Sequence, residues 1–155
     1  MQSQTSVIDC LQECVSLHWT AIQNYKSQQH HFSRLGYSKL AGKMKSDVEE
    51  EVGHLDKLVE RLEQFDCVCA MEHDLPEFPR MPDIKGILEA NLKLEKAACD
   101  CERDCILDAR AMGDEITAKL VAENLEGSED AITEIEADLR QLETIGVDNW
   151  LADKL

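Results

Sequence analysis

The chain has 155 residues, a formal net charge of −16 at neutral pH and 5% aromatic residues. A chain of this length buries a working core without disulfides or structural metals, and residues 1–155 are expected to form one domain. The acidic balance excludes a nucleic-acid surface, which needs basic clusters. No run of about 18 apolar residues is present, which excludes a membrane span.

The start, MQSQTSVIDC, has neither a basic nor an apolar region, so no secretory leader is expected. Seven cysteines in such a chain are expected to be reduced thiols in a cytoplasm rather than disulfides. Pro76, Pro79 and Pro82 fall within one short stretch, and Gly36, Gly113 and Gly146 mark the other breaks. Between them lie four segments of similar length, at 5–34, 38–67, 83–112 and 115–144, each about 45 Å long as a helix. A short tail helix is expected over 147–154.

Helical periodicity runs through each segment. Val7, Leu11, Cys14, His18, Ile22, Tyr25 and Phe32 share one stripe of the first. Met44, Val48, Glu51, Leu55, Leu58, Leu62 and Phe65 do so in the second. The third carries Leu88, Asn91, Glu95, Cys99, Glu102 and Ile106, and the fourth Val121, Ser128, Ala131, Ile135 and Leu142. Asp114, directly after Gly113, has the position of an N-cap. Short first and last connections predict antiparallel hairpins. The Pro-rich link must run the length of the bundle, making helices two and three parallel. The predicted fold is an all-α antiparallel four-helix bundle with a long crossover and a short fifth helix.

Polar residues interrupt these apolar stripes. Glu51 and His54 are three apart on one helix and point the same way; Glu95 and His18 sit in the buried phase of two others. Buried polar groups must satisfy one another or hold a metal. Together they form a His₂Glu₂ set sufficient for one Zn(II) or Fe(II). The plainer reading is a hydrogen-bonded polar couple in a core. Tyr25, two turns from His18, is placed to donate a hydrogen bond to Glu95 from behind the ligand set, or is simply a core aromatic with a satisfied hydroxyl. Within Glu49-Glu50-Glu51 only Glu51 faces inward. His30, His31 and His73 are expected at the surface.

The chain resembles a bacterioferritin over essentially its whole length, with one residue inserted in the Pro-rich link. The resemblance rests on Ala21-Ile22-Gln23-Asn24-Tyr25, Glu51-Val52-Gly53-His54, Leu94-Glu95 and Gly146-Val147-Asp148-Asn149-Trp150-Leu151, in that order and spacing. It implies a ferritin-like fold and a hollow shell of two dozen subunits storing iron as a ferric mineral, built from one chain or mixed with a related subunit. It also implies a di-iron oxidation centre in each subunit. Position by position, the family's first Glu is His18 here, while Glu51, His54 and Glu95 are retained. The expected Glu and His of the fourth helix fall on Ser128 and Ala131. Glu126 and Glu129 lie about 200° and 100° from the Ser128 direction, so only a bulge near Gly127 would turn one inward. The departures imply a partly lost ferroxidase centre that holds a single metal.

The cysteines support a second reading. Cys10 and Cys14 are four apart on the first helix, Cys101 and Cys105 four apart on the third, and Cys67 and Cys69 end the second. The helix directions gather all seven thiols at one end of the bundle. By phase Cys14 and Cys99 face inward, Cys10 and Cys105 lie at the flank and Cys101 points out. Converging thiolates bind soft ions such as copper or zinc, whereas free cysteines also serve as small hydrophobes in helix seams.

The family's haem-binding Met falls on Val52, which has no donor atom, so the protein is expected to take up no haem. Purified protein offered haem should show no Soret band; a stoichiometric spectrum with two thioether axial ligands overturns this.

Overall fold

The computed structural model describes residues 4–69, 78, 80 and 83–155. Pro76, Pro79, Pro82 and His73 lie outside them. Five helices occupy the described residues: α1 Gln4–Leu35, α2 Ser38–Gln64, α3 Ile84–Ala111, α4 Glu115–Ile145 and α5 Val147–Ala152. No strand occurs among these residues.

The helix ends follow from local chemistry. α1 and α3 close with a glycine in the left-handed region, Gly36 (φ 88°) and Gly113 (φ 76°). In each case the amide beyond the glycine returns to a carbonyl five residues back: Tyr37 to Phe32 at 3.0 Å and Asp114 to Ala109 at 2.8 Å. α2 ends at Gln64, three residues short of the expected 67. Here Asp66 itself takes the left-handed conformation (φ 56°), and Cys67 N–H closes on the Leu62 carbonyl at 3.0 Å. An aspartate tolerates that region better than most residues, so the helix stops without a glycine. Asp83 and Asp114 cap α3 and α4 by accepting from the amides of Gly86 at 2.7 Å and Thr117 at 3.0 Å.

Pairs across the seams give the topology. α1 meets α3 at Ser6–Asp108, His18–Glu102, Tyr25–Glu95 and Gln28–Asn91; the numbers run in opposite senses, so the two helices are antiparallel. α1 and α2 form a hairpin. α2 and α3 are therefore parallel, which makes the connection between them the long crossover. α4 runs against α2 (Arg61–Asp114, Lys57–Glu123, Lys43–Glu134) and against α3 (Lys96–Glu136, Arg103–Glu129).

The core is aliphatic between the polar rungs. Leu11, Leu58 and Leu62 are all at 0% exposure, each contributing about 1.5–3 kcal/mol on burial. α5 folds back over one end of the bundle. Its Trp150 is buried, with the indole N–H donating to Gln141 at 3.1 Å, and Lys39 N–H at the start of α2 bonds the Lys154 carbonyl at 3.1 Å.

Asp114 links a helix cap to the α2–α4 seam. Its partial burial opposes ionisation, but bonds from the Thr117 hydroxyl and amide and from Arg61 outweigh this and lower its pKa. The ionised carboxylate therefore stabilises the fold above the usual aspartate range, and that stabilisation disappears as pH falls through the depressed native value. Asp114→Ala should cost about 1 kcal/mol in urea unfolding at pH 7, with the deficit closing at strongly acid pH; an equal deficit at both pH values overturns this account.

Candidate metal centre

His18 sits at the middle of α1, 2% exposed, between two carboxylates. Its Nδ1 meets Glu51 Oε2 of α2, and its Nε2 meets Glu102 Oε1 of α3 at 3.0 Å. Glu51 is 6% exposed and Glu102 is fully buried. Burial alone favours the neutral ring, but the bonds to Glu102 and Glu51 reverse this and lift the His18 pKa to about 10. The metal-free centre at neutral pH is thus an imidazolium held by two carboxylates from two different helices.

His54 approaches from α2, one turn along from Glu51. Its ring stands edge-on to His18 with centroids 5.6 Å apart. Burial, then the neighbouring His18 charge, lowers its pKa, so a lone pair is free at neutral pH. Ligand atoms of His18, Glu51 and His54 lie within 4.8 Å of one another. His54 Nδ1 and Glu102 Oε2 are buried and lack a hydrogen-bond partner. Unpaired buried polar atoms cost about 1–3 kcal/mol each, and a cation held by the His18–Glu51–His54 group would give the His54 ring a partner. The donor set of imidazoles and carboxylates suits Fe(II) or Zn(II).

The fourth member of the expected ligand set is placed differently. Glu95 is buried on α3, outside the group of converging ligand atoms. It accepts a hydrogen bond from the Tyr25 hydroxyl at 2.6 Å. Burial and then the Glu51 charge raise its pKa to about 8. Glu102 occupies the position beside His18 instead. Its spacing of seven residues puts it on the same stripe as Glu95, and helical phase alone does not choose which of the two meets His18.

α4 contributes shape and one hydroxyl. Ser128 is buried and donates to Glu102 Oε1 at 3.2 Å. Glu126 and Glu129 are exposed, and Glu129 pairs with Arg103 at 2.9 Å. The helix runs unbroken through Gly127. A Cβ on Gly127 would lie 2.6 Å from His54 Cε1 and 2.9 Å from Nε2, so only glycine leaves room for the imidazole. Asn124 holds the His54 carbonyl at 3.3 Å. Val52 is 39% exposed on the outside of α2.

The thiols divide into groups. Cys10, Cys14, Cys101 and Cys105 meet in the α1–α3 seam, with Cys14 and Cys101 sulfurs 2.8 Å apart. Cys101, expected to point outward, is 6% exposed, because α1 covers a wider strip of α3 than the inner stripe alone. Cys105, expected at the flank, is fully buried. Cys99 is buried apart from them, among the charges of Glu102, Arg103, Glu95 and Glu129. Cys67 and Cys69 follow the end of α2, half-buried.

Gly127→Ala isolates the role of the His54 pocket. Alanine is favoured over glycine in a helix interior by roughly 1 kcal/mol, and the obstructed atoms belong to a side chain that can rotate. The variant should therefore unfold no more easily than the parent in urea, while its affinity for divalent metal falls at least tenfold in equilibrium titration. Undiminished affinity would show that His54 does not need this space.

Comparison with known proteins places the architecture. A family model described as the ferritin-like domain matches residues 8–145. The chain is 26% identical over 156 residues to a protein named bacterial ferritin from Neisseria meningitidis serogroup B, covering 100% of both chains. It is 27% identical over 150 residues to a bacterioferritin of Brucella melitensis, covering 97% of this chain and 92% of the relative. A bacterioferritin of Mycobacterium avium is 23% identical over 158 residues, with 98% and 95% covered. With the helical bundle, its parallel second and third helices and the length of the match, the chain belongs to the ferritin-like domain family.

Proposed function

We propose that the protein is an iron-storage subunit of bacterioferritin type, whose oxidation centre is reduced to a single metal position. The observation that carries this reading is the buried His18–Glu51–His54 group, with Glu102 against His18, in the middle of a ferritin-like bundle. The likeness to a bacterial ferritin and a bacterioferritin supports storage of iron. The positions α4 turns toward the centre are Asn124, Gly127 and Ser128, which supply no carboxylate and no imidazole for a second ion. Paired Fe(II) oxidation by oxygen requires two irons held together, so oxidation by this subunit is slow.

Assembly into a closed shell, alone or with a related subunit, is part of the proposal. Leu107 and Ile116 are 66% and 68% exposed and Trp19 is 48% exposed; large apolar side chains on outer helix faces suit burial between subunits. The proposal places this shell in the cytoplasm; no helix among the described residues is long and apolar enough to cross a membrane.

Loading is coupled to protons. His18 becomes a ligand only by giving up its proton and one carboxylate partner, so the ion replaces the ring's positive charge. Because the His18 pKa is raised to about 10, affinity should increase about tenfold per pH unit between roughly pH 7 and 9. The same shift stabilises the metal-free fold fully below the unfolded value of about 6.5 and ceases to do so as pH passes 10. Anaerobic Fe(II) titration should give about one ion per subunit, and His54→Ala should abolish it. A rapid aerobic phase consuming two Fe(II) per subunit, or a monomer by light scattering at neutral pH, would sink the reading.

A further inference from the structure

The α1–α3 seam carries a second constellation beside the metal centre. Cys14 precedes His18 by one helical turn, and Cys101 directly precedes Glu102, so Cys14–Cys101 is the rung next to His18–Glu102. Both thiols are buried, at 1% and 6% exposure. Their sulfurs are 2.8 Å apart, inside ordinary non-bonded contact of about 3.5–4.0 Å and about 0.8 Å from the length of a disulfide bond. Two further thiols continue the row away from the centre. Cys105 is fully buried beside Cys10 and Cys14, whose thiols hold its pKa below the usual thiol value. Cys10, half-buried, donates to Asp108 Oδ2 at 3.2 Å.

The four sulfurs form a row rather than the converging cage that a tetrahedral thiolate metal needs. Among the described residues, the group of ligand atoms within 4.8 Å of one another is that of the His/Glu centre. A row ending in a close pair suits electron and proton movement.

We propose that Cys14 and Cys101 are a redox-active dithiol that passes two electrons to ferric iron at the adjacent centre and closes to a disulfide between α1 and α3. The acceptor rests on the iron-storage reading above. Two thiols and two Fe(III), taken up in succession, yield one S–S bond, two Fe(II) and two protons. The S–H bonds of Cys14 and Cys101 break as the S–S bond forms. The two protons leave along the row, by Cys105 and Cys10, to Asp108 and solvent at its half-buried end. Cys105 attacks the disulfide and Cys10 attacks in turn, which moves the S–S bond to Cys10–Cys105 at the half-buried end; there two external thiols reduce it and leave as one external disulfide. The pair thereby returns stored ferric iron to the soluble ferrous state.

The test begins with fully reduced, metal-free protein under anaerobic conditions, mixed with ferric citrate and a ferrous-specific chelator. About two Fe(II) should appear per subunit, one disulfide's worth of electrons, and peptide mapping should find Cys14 joined to Cys101. Cys14→Ser and Cys101→Ser should each lose this yield, while Cys67→Ser/Cys69→Ser keeps it. An unchanged yield in Cys14→Ser, or a disulfide joining other cysteines, overturns the proposal. Two controls separate its failure from that of the storage reading. Equilibrium Fe(II) binding by Cys14→Ser reports the centre alone; normal binding with no ferric reduction by the parent protein overturns the electron transfer and leaves storage standing. Diamide, a metal-free oxidant, reports the dithiol alone; failure to close Cys14–Cys101 overturns the redox pair whatever the centre binds.

Discussion

One buried cation holds the arrangement together. His18 carries its proton between Glu51 and Glu102, and through them α1 is tied to α2 and α3 at mid-height. Either carboxylate left without a partner would carry the cost of an unpaired buried charge, several kcal/mol in a protein interior. The imidazolium avoids that cost, and under the proposed function a metal would avoid it in the same place. The ring would then be a placeholder for the ion, and the bundle would not have to be rebuilt when the ion arrived.

The supporting residues keep that exchange local. Tyr25 holds Glu95 one layer away, and burial keeps Glu95 protonated to about pH 8, so the centre is not surrounded by unbalanced negative charge. Gly127 admits the His54 ring and Asn124 fixes its backbone. The net charge of −16 lies mostly on exposed helix faces, where it attracts cations without destabilising the interior.

Much of this was legible before any coordinates. The glycine and proline breaks divided the chain into its helices, and a three-to-four residue period placed His18, Glu51 and Glu95 in the core, because helical phase alone decides which way a side chain points. What escaped depended on packing between helices. Glu102 shared the inner stripe with Glu95, but only the relative height of α1 and α3 decides which carboxylate meets His18. Cys101 is off the inner stripe and becomes buried because α1 leans across it. Gly127 has no side chain to read, and its importance is the space it leaves. Asp66 closes α2 in a conformation more often taken by glycine, so the helix ends three residues before its sequence pattern does.

The Gln28–Asn91 pair has a further consequence. Each amide both donates and accepts, at 2.7 and 2.8 Å, far from the centre and from the thiols. With Ser6–Asp108 at the other end of the seam, it pins α1 against α3 over about 33 Å. Aliphatic helices slide past one another at modest cost, since one leucine fills another's place. A slip of one residue here would turn α1 by about 100° and orphan every polar group along the seam together. The polar residues thus act as a vernier for the aliphatic ones, selecting a single alignment from several that leucines alone would accept.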